Sequence, residues 1–180
     1  LRIRSWIAAR HATTAVVVGG GFIGLEMVEN LVHRGLEVTV LERLPQLMPA
    51  LDPEMAAPIR EHLAALGVAL HLGDGLARID PNATGGLTVV SEHGARLPAD
   101  FVILAIGVRP ETGLAKDAGL DIGARGGIVV NGQMRTSDPC VWAVGDAVEM
   151  PDVVLGQETV LPLAGPANRQ GRVAAESIAG

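Results

Sequence analysis

The pattern of apolar and polar positions changes texture several times along the chain, and each change predicts an element. Ile3, Trp6 and Ile7 recur at helical spacing among Arg2, Arg4 and Arg10, which predicts a short amphipathic helix within residues 1–11. Ala15-Val16-Val17-Val18 is an apolar run too short for a helix of its own, and it meets Gly19-Gly20-Gly21 before helical periodicity begins at Gly24. The segment reads as strand, tight turn, helix. Leu25, Val28, Leu31 and Val32 make the helix's apolar side, Glu26, Glu29 and His33 its polar one, and Gly35 its stop. Glu26 falls in the predicted first turn, where an acid suits the helix dipole. Residues 37–41 then read as a buried parallel strand ending at Glu42. Asp52-Pro53 supplies an N-cap and first helical residue for a stripe of Met55, Ile59, Leu63 and Leu66, with a bend expected near Pro58 and an end at Gly67.

Short strands follow at 68–72, 76–79, 87–91 and 95–97, divided by Asp80-Pro81-Asn82 with Gly85-Gly86 and by His93-Gly94. Connections this tight require antiparallel hairpins, because a parallel return needs a crossover of about a dozen residues. Residues 101–106 read as a central, fully buried strand that ends at Gly107 and closes a first domain. Beyond Thr112 come a short helix at 114–118, a turn at Gly126-Gly127, a strand at 128–130, and a strand at 141–144 that delivers Gly145 and Asp146. An acid at such a strand end can accept hydrogen bonds from ligand hydroxyls, or can be an ordinary turn or cap residue. A stiff loop at 161–166 leads to a last helix whose packing face is Ala167, Val173, Ala174, Ile178 and Ala179. The expected fold class is α/β, a Rossmann-like parallel sheet interrupted by an antiparallel meander.

Composition narrows the chemistry. The 180 residues suffice for one good core, or one domain with part of another, and aliphatic side chains supply nearly all of it, with two Phe, two Trp and no Tyr. A net charge of −6 with scattered arginines argues against a nucleic-acid partner. No apolar run reaches the ~20 residues of a membrane span, and no leader pattern opens the chain, so the expected protein is soluble and cytoplasmic. Cys140 is the only cysteine, which excludes an internal disulfide and paired-cysteine metal or redox motifs. Lys116 is the only lysine, so no P-loop Gly-Lys-Ser/Thr exists, and without tyrosine there is no Tyr–Lys proton-donor pair. Ser5, Ser91, Ser137 and Ser177 lack the flanking glycines of a nucleophile elbow, and the five histidines form no metal-spaced cluster. Any catalysis would need a cofactor.

The glycine segment is where one would sit. Gly19 lets the chain turn out of its strand, Gly21 carries no Cβ to hold phosphate oxygens away, and Gly24 lets the helix lie close to the strand. Gly20, Phe22 and Ile23 complete the turn, and the helix start directs free N–H groups and the positive dipole end at an anion. Glu42 falls where this unit places a carboxylate for the adenosine ribose hydroxyls, and it would repel a 2′-phosphate. That favours NAD(H) over NADP(H), although Arg43 beside it could turn onto such a phosphate.

The assembled chain resembles the flavin-dependent pyridine nucleotide-disulfide oxidoreductases, most closely their coenzyme A-disulfide reductase and NADH oxidase/peroxidase branch. Residues 17–26 (VVGGGFIGLE), 38–43 (VTVLER), 105–111 (AIGVRPE), 136–146 (TSDPCVWAVGD) and 161–172 (LPLAGPANRQGR) carry the resemblance in family order over nearly the whole length. It implies that Gly19 to Gly24, Glu42 and Arg43 hold NAD(H), that Gly107 lines the nicotinamide-nucleotide site, and that Glu26 lies near the nicotinamide. Gly145 and Asp146 would bind the ribityl chain of FAD, and residues 161–165 would pass near its isoalloxazine. Hydride would move from NADH to FAD, then to a disulfide or thiol, oxygen or peroxide.

The family's N-terminal flavin-binding glycine motif, its redox cysteine and its C-terminal dimerisation domain are not in this sequence, and Cys140 lies outside the position of that cysteine. The expectation is a piece of a longer flavoprotein: a connector helix at 1–11, an NAD-binding domain at 12–111, and the later part of the FAD domain at 112–180. By itself it would be inactive, would seek the missing half of its FAD domain, and would self-associate through the exposed edges of strand 141–144. The alternatives are a reductase component feeding a ferredoxin-like protein and a non-catalytic NADH-sensing module.

Overall fold

The computed structural model describes residues 2–83, 85–154 and 156–180, which form two compact units, Leu1–Gly107 and Val108–Gly180. In the first, helix α1 (Arg2–Arg10) precedes the strand on which the unit is built, β1 (Thr14–Val18). Helix α2 (Phe22–Val32), β2 (Glu37–Glu42), helix α3 (Pro53–Ala65) and β3 (Ala69–Leu72) follow in βαβ fashion. The antiparallel strands β4 (Leu76–Pro81), β5 (Leu87–Ser91) and β6 (Arg96–Ala99) then interrupt, before β7 (Phe101–Leu104) returns to the parallel sheet. That sheet has the order β3-β2-β1-β7, all parallel, with Val17 opposite Val40 and Ile103.

The continuous apolar run of β1 is explained by burial on both faces. Ala15 and Val17 point to the helix side, with Val28 and Leu31 of α2, Val38 and Val40 of β2, and Leu63 of α3. Val16 and Val18 point the other way and pack with Leu41 and with Val89 and Ala99 of the meander. Period-2 alternation therefore divides one strand between two cores. Trp6 of α1 meets the Phe101 ring edge-on at 5.5 Å, which ties the first helix to β7.

Several elements differ from their sequence expectation. β7 is not central: it pairs with β1 alone, its residues 101–103 are half-buried, and Leu104 is 54% exposed. Apolar composition cannot distinguish a strand with two neighbours from an edge strand. Helix α2 begins at Phe22, so Gly24 lies inside it and Glu26 beyond its first turn, which removes the dipole explanation for that acid. On α3 the buried positions are Ala56 and Leu63; Met55 and Leu66 of the expected stripe are exposed, and the helix continues through Pro58.

In the second unit, α4 (Gly113–Asp117) leads to β8 (Ile128–Val129), which pairs parallel with β9 (Val148–Asp152), and β9 forms a hairpin with β10 (Gln157–Thr159). Residues 141–144, read as a strand from sequence, make only an isolated bridge between Trp142 and Arg135. Their backbone groups bond locally instead: Thr136 donates its N–H to the Val141 carbonyl at 3.0 Å and Ala143 donates its N–H to the Met134 carbonyl at 3.1 Å, so the strand expected to offer edges for self-association is not formed there. Helix α5 (Ala164–Ala179) starts inside the predicted loop, because Pro166 falls in its first turn, where a missing N–H is harmless. Its packing face is half-buried Ala167 and Val173 with buried Gln170 and Ala174, while Ile178 and Ala179 are exposed. No helix among the described residues is long and apolar enough to cross a membrane.

Asp100 fixes where β7 starts against β1. Its Oδ2 accepts N–H donors of Thr13 at 2.7 Å and Thr14 at 2.9 Å, and its own N–H is donated to the Thr14 hydroxyl at 3.1 Å. The Thr13 and Thr14 N–H groups hold its carboxyl below the ordinary 3.8. A depressed carboxylate stabilises the fold above its unfolded pKa and ceases to do so as pH falls through the folded value. Asp100→Ala is expected to cost about 1 kcal/mol at pH 7. Urea midpoints measured from neutral pH downward should show that difference constant until about pH 5 and shrinking below the ordinary aspartate pKa.

Candidate functional site

The carboxyl ends of β1, β2 and β7 lie side by side at one edge of the parallel sheet. Gly19 donates its N–H to the Leu41 carbonyl at 2.8 Å, and Ala105 donates to the Val18 carbonyl at 2.7 Å, so the glycine turn lies between the ends of both flanking strands. The chain runs to β2 on one side of β1 and returns as β7 on the other, the switch point at which open parallel sheets bind ligands.

The three glycines of the motif do different work. Gly19 has φ +108°, and a Cβ there would collide with the Ala105 carbonyl. A Cβ on Gly24 would collide with the carbonyl oxygen of Gly19, so its absence lets α2 lie against the turn. Gly21, the N-cap of α2, has no atom within 4 Å of where a Cβ would stand and no side-chain cap bond. The backbone is open there, and the first-turn N–H groups, which have no partner within the helix, face a site suited to an anion. Phe22 and Ile23 are 58% and 52% exposed, so what they offer this turn is backbone rather than packing.

Glu42 is 8% exposed and brackets the turn. Its Oε2 accepts the Gly20 N–H at 2.6 Å and its Oε1 the Leu44 N–H at 2.7 Å. Met48 donates its N–H to the Gly20 carbonyl at 2.8 Å, and a Cβ on Gly20 would come within 2.6 Å of Leu47 Cδ2. The glycine turn and the loop after β2 are thus locked to each other. Each carboxylate oxygen keeps a second lone pair that these bonds do not use. Arg43 is exposed beside it, Glu26 is exposed on α2, and Gly107 is exposed beyond β7 with φ +102° and open space around it.

Gly145 and Asp146 lie in the second unit. Gly145, at φ +85°, donates its N–H to Gln170 Oε1 at 2.7 Å, and Gln170 Nε2 reaches Met150 Sδ at 3.2 Å. Buried Gln170 therefore holds the turn that presents exposed Asp146. Sequence reading missed Gln170, although it sits at helical spacing between Ala167 and Ala174. It also missed Glu149, 1% exposed, whose Oε2 accepts the N–H groups of Arg125 at 3.0 Å and Gly127 at 3.2 Å. Nothing in the local pattern distinguishes that acid from a surface one. Among the described residues no group of His, Cys, Asp and Glu is placed to hold a metal ion, and Cys140 is a free, exposed thiol.

The family model for pyridine nucleotide-disulphide oxidoreductase matches residues 4–171. An NADH oxidase of Methanocaldococcus jannaschii is 41% identical over 99% of this chain and 39% of its own length. The solved structure of reduced CoADR-RHD from Bacillus anthracis superposes with a TM-score of 0.91 at 48% identity, over 98% of this chain and 31% of that one. That of a FAD-dependent pyridine nucleotide-disulphide oxidoreductase from Desulfovibrio vulgaris gives a TM-score of 0.85 at 42% identity, over 94% and 43%. The chain therefore spans well under half of the length of these relatives.

Proposed function

The chain belongs to the pyridine nucleotide-disulphide oxidoreductase family, and on that premise we propose that its first unit binds NAD(H) as the hydride donor of an FAD-dependent oxidoreductase. The observation that carries this reading is the Glu42 bracket, a carboxylate at the end of β2 held by the Gly20 N–H against an open glycine turn. In this reading the pyrophosphate lies on Gly19 to Gly24, the adenosine ribose on Glu42, and the nicotinamide nucleotide past Gly107, with Glu26 near its ring. The negative charge of Glu42 disfavours a 2′-phosphate, and Arg43 is the residue that would weaken that preference.

FAD, when bound, supplies the acceptor that takes hydride from NADH. This chain's contribution to it would be the Gly145 turn, with Asp146 accepting hydrogen bonds from the ribityl hydroxyls and Gln170 holding the turn in place. The rest of the flavin site would come from sequence outside these 180 residues, as would the group that passes electrons to a disulfide or thiol, oxygen or peroxide.

Fluorescence titration of the chain with NADH, NADPH and FAD tests the reading. NADH is expected to bind more tightly than NADPH, with no binding of FAD by this chain alone. Glu42→Ala should weaken NADH by about tenfold to a hundredfold, the equivalent of one or two charge-assisted hydrogen bonds. Tight FAD binding, equal binding of the two nicotinamide cofactors, or an unchanged NADH affinity in the variant would overturn it.

A further inference from the structure

The second unit contains a cleft whose cations the dinucleotide reading does not use. This cleft of about 610 Å³ is lined by Arg109, Lys116 and Arg125 together with Pro110, Val160 and Pro162. Its lining contains no Asp, Glu or His, so it carries three positive charges and no negative one in a chain whose net charge is −6. Among the described residues none of the three cations has a carboxylate within ion-pair distance; Arg125 reaches only the Gln157 amide oxygen, at 3.3 Å. Glu111, the acid nearest Arg109 in sequence, accepts the Gly113 N–H at 3.0 Å instead of pairing with Arg109.

The wall that carries Arg125 is built rather than incidental. Buried Glu149 takes the backbone N–H groups of Arg125 and Gly127, and Gly123 donates its N–H to the Gly127 carbonyl at 2.8 Å. Buried Thr112, also in the lining, donates its hydroxyl to the Gly126 carbonyl at 3.4 Å. The backbone at residues 125–127 is thus held by Glu149 and Thr112, while no carboxylate pairs with the three cations among the described residues. Such preorganisation reduces the ordering cost of binding.

We propose that this cleft is an oxyanion site of the second unit that takes a diphosphate-class ligand. Two guanidinium forks match phosphate oxygens bidentately, and Lys116, the only lysine of the chain, adds a point charge. A singly charged anion would leave most of the cleft's charge uncompensated, whereas a diphosphate balances it. The volume lies within the range of about 300–1,000 Å³ common to small-molecule sites. All of these residues belong to Val108–Gly180.

Amide ¹⁵N–¹H spectra of the chain, titrated with inorganic diphosphate and separately with ADP, test the proposal and separate a free from a nucleotide-borne diphosphate. Saturable shifts are expected at Thr112, Lys116, Arg125 and Gly126 with both probes, and tighter binding of ADP in the cleft would identify the nucleotide as the source. ADP shifts at Gly19 to Gly24 report the proposed dinucleotide site and are read apart. The double variant Arg109→Ala, Arg125→Ala should weaken diphosphate at least tenfold while leaving core resonances such as Val130 and Met134 in place. Non-saturating shifts spread over all arginines, an affinity unchanged in the double variant, or binding of an acidic peptide with none of diphosphate would overturn the proposal.

Discussion

Gly24→Val is expected to abolish NADH binding and to cost the first unit about 3–5 kcal/mol, while Gly21→Ala, three residues earlier, should leave stability nearly unchanged. The contrast follows from what each missing Cβ would meet. At Gly24 it meets the Gly19 carbonyl, with the Gly19 carbon at 3.0 Å and Ala105 Cβ at 3.5 Å. The obstructing group is backbone, held by the Gly19 N–H bond to Leu41 and by a φ that only glycine adopts easily. The helix must therefore lift from the turn, and Val28 and Leu31, both fully buried, lose part of their packing as it does. At Gly21 a methyl meets nothing within 4 Å, and φ −83° suits alanine. It would nevertheless project into the space assigned to the pyrophosphate, so Gly21→Ala should weaken NADH about tenfold or more without moving the urea midpoint. Equal stability losses in the two variants would contradict the assignment of a packing role to one glycine and a ligand-facing role to the other.

Glu149→Ala should be the most damaging single change in the second unit, at about 2–4 kcal/mol. It removes the acceptor of two backbone donors, Arg125 N–H and Gly127 N–H, at a site where the glutamate is 1% exposed. No side chain fills the space it leaves, because Gly123 and Gly127 both pack directly on it and carry none. Glu149→Gln retains one carbonyl oxygen able to accept both donors, and about 1 kcal/mol is expected for it. Hydrogen exchange at the amides of residues 125 and 127 should accelerate strongly in the alanine variant and modestly in the glutamine one. Diphosphate affinity should fall in the same order, since the loop bearing Arg125 loses its anchor. Unchanged exchange at those amides would show that the loop is held by something other than Glu149.

Much of the first unit was legible in the sequence because its signals are local. The run from Ala15 to Val18, the glycine spacing, the Gly35 stop and the acid at Glu42 depend on neighbours within a few residues, and the meander follows from loop lengths too short for any parallel return. The second unit was less legible for the opposite reason. Residues 141–144 have the composition of a strand, but whether they become one depends on a partner strand at their side, which composition does not encode. β9 reads Val-Glu-Met-Pro-Asp, with a buried glutamate at its second position and a proline at its fourth, so it lacks the apolar pattern that marks a strand.

The sequence by itself determined the strand, turn and helix of the glycine motif, the antiparallel character of the meander, and the glycines and the acid on which the proposed dinucleotide site rests. Only the tertiary structure decided which contacts give those residues their roles. Gly24 is needed because of a carbonyl five residues earlier, Glu42 holds both Gly20 and Leu44, Gln170 and Glu149 are buried anchors, and three dispersed cations share one cleft. The physical reason is that periodicity and propensity act between near neighbours, whereas burial of a polar group and the clash of a Cβ arise between residues that only chain packing brings together.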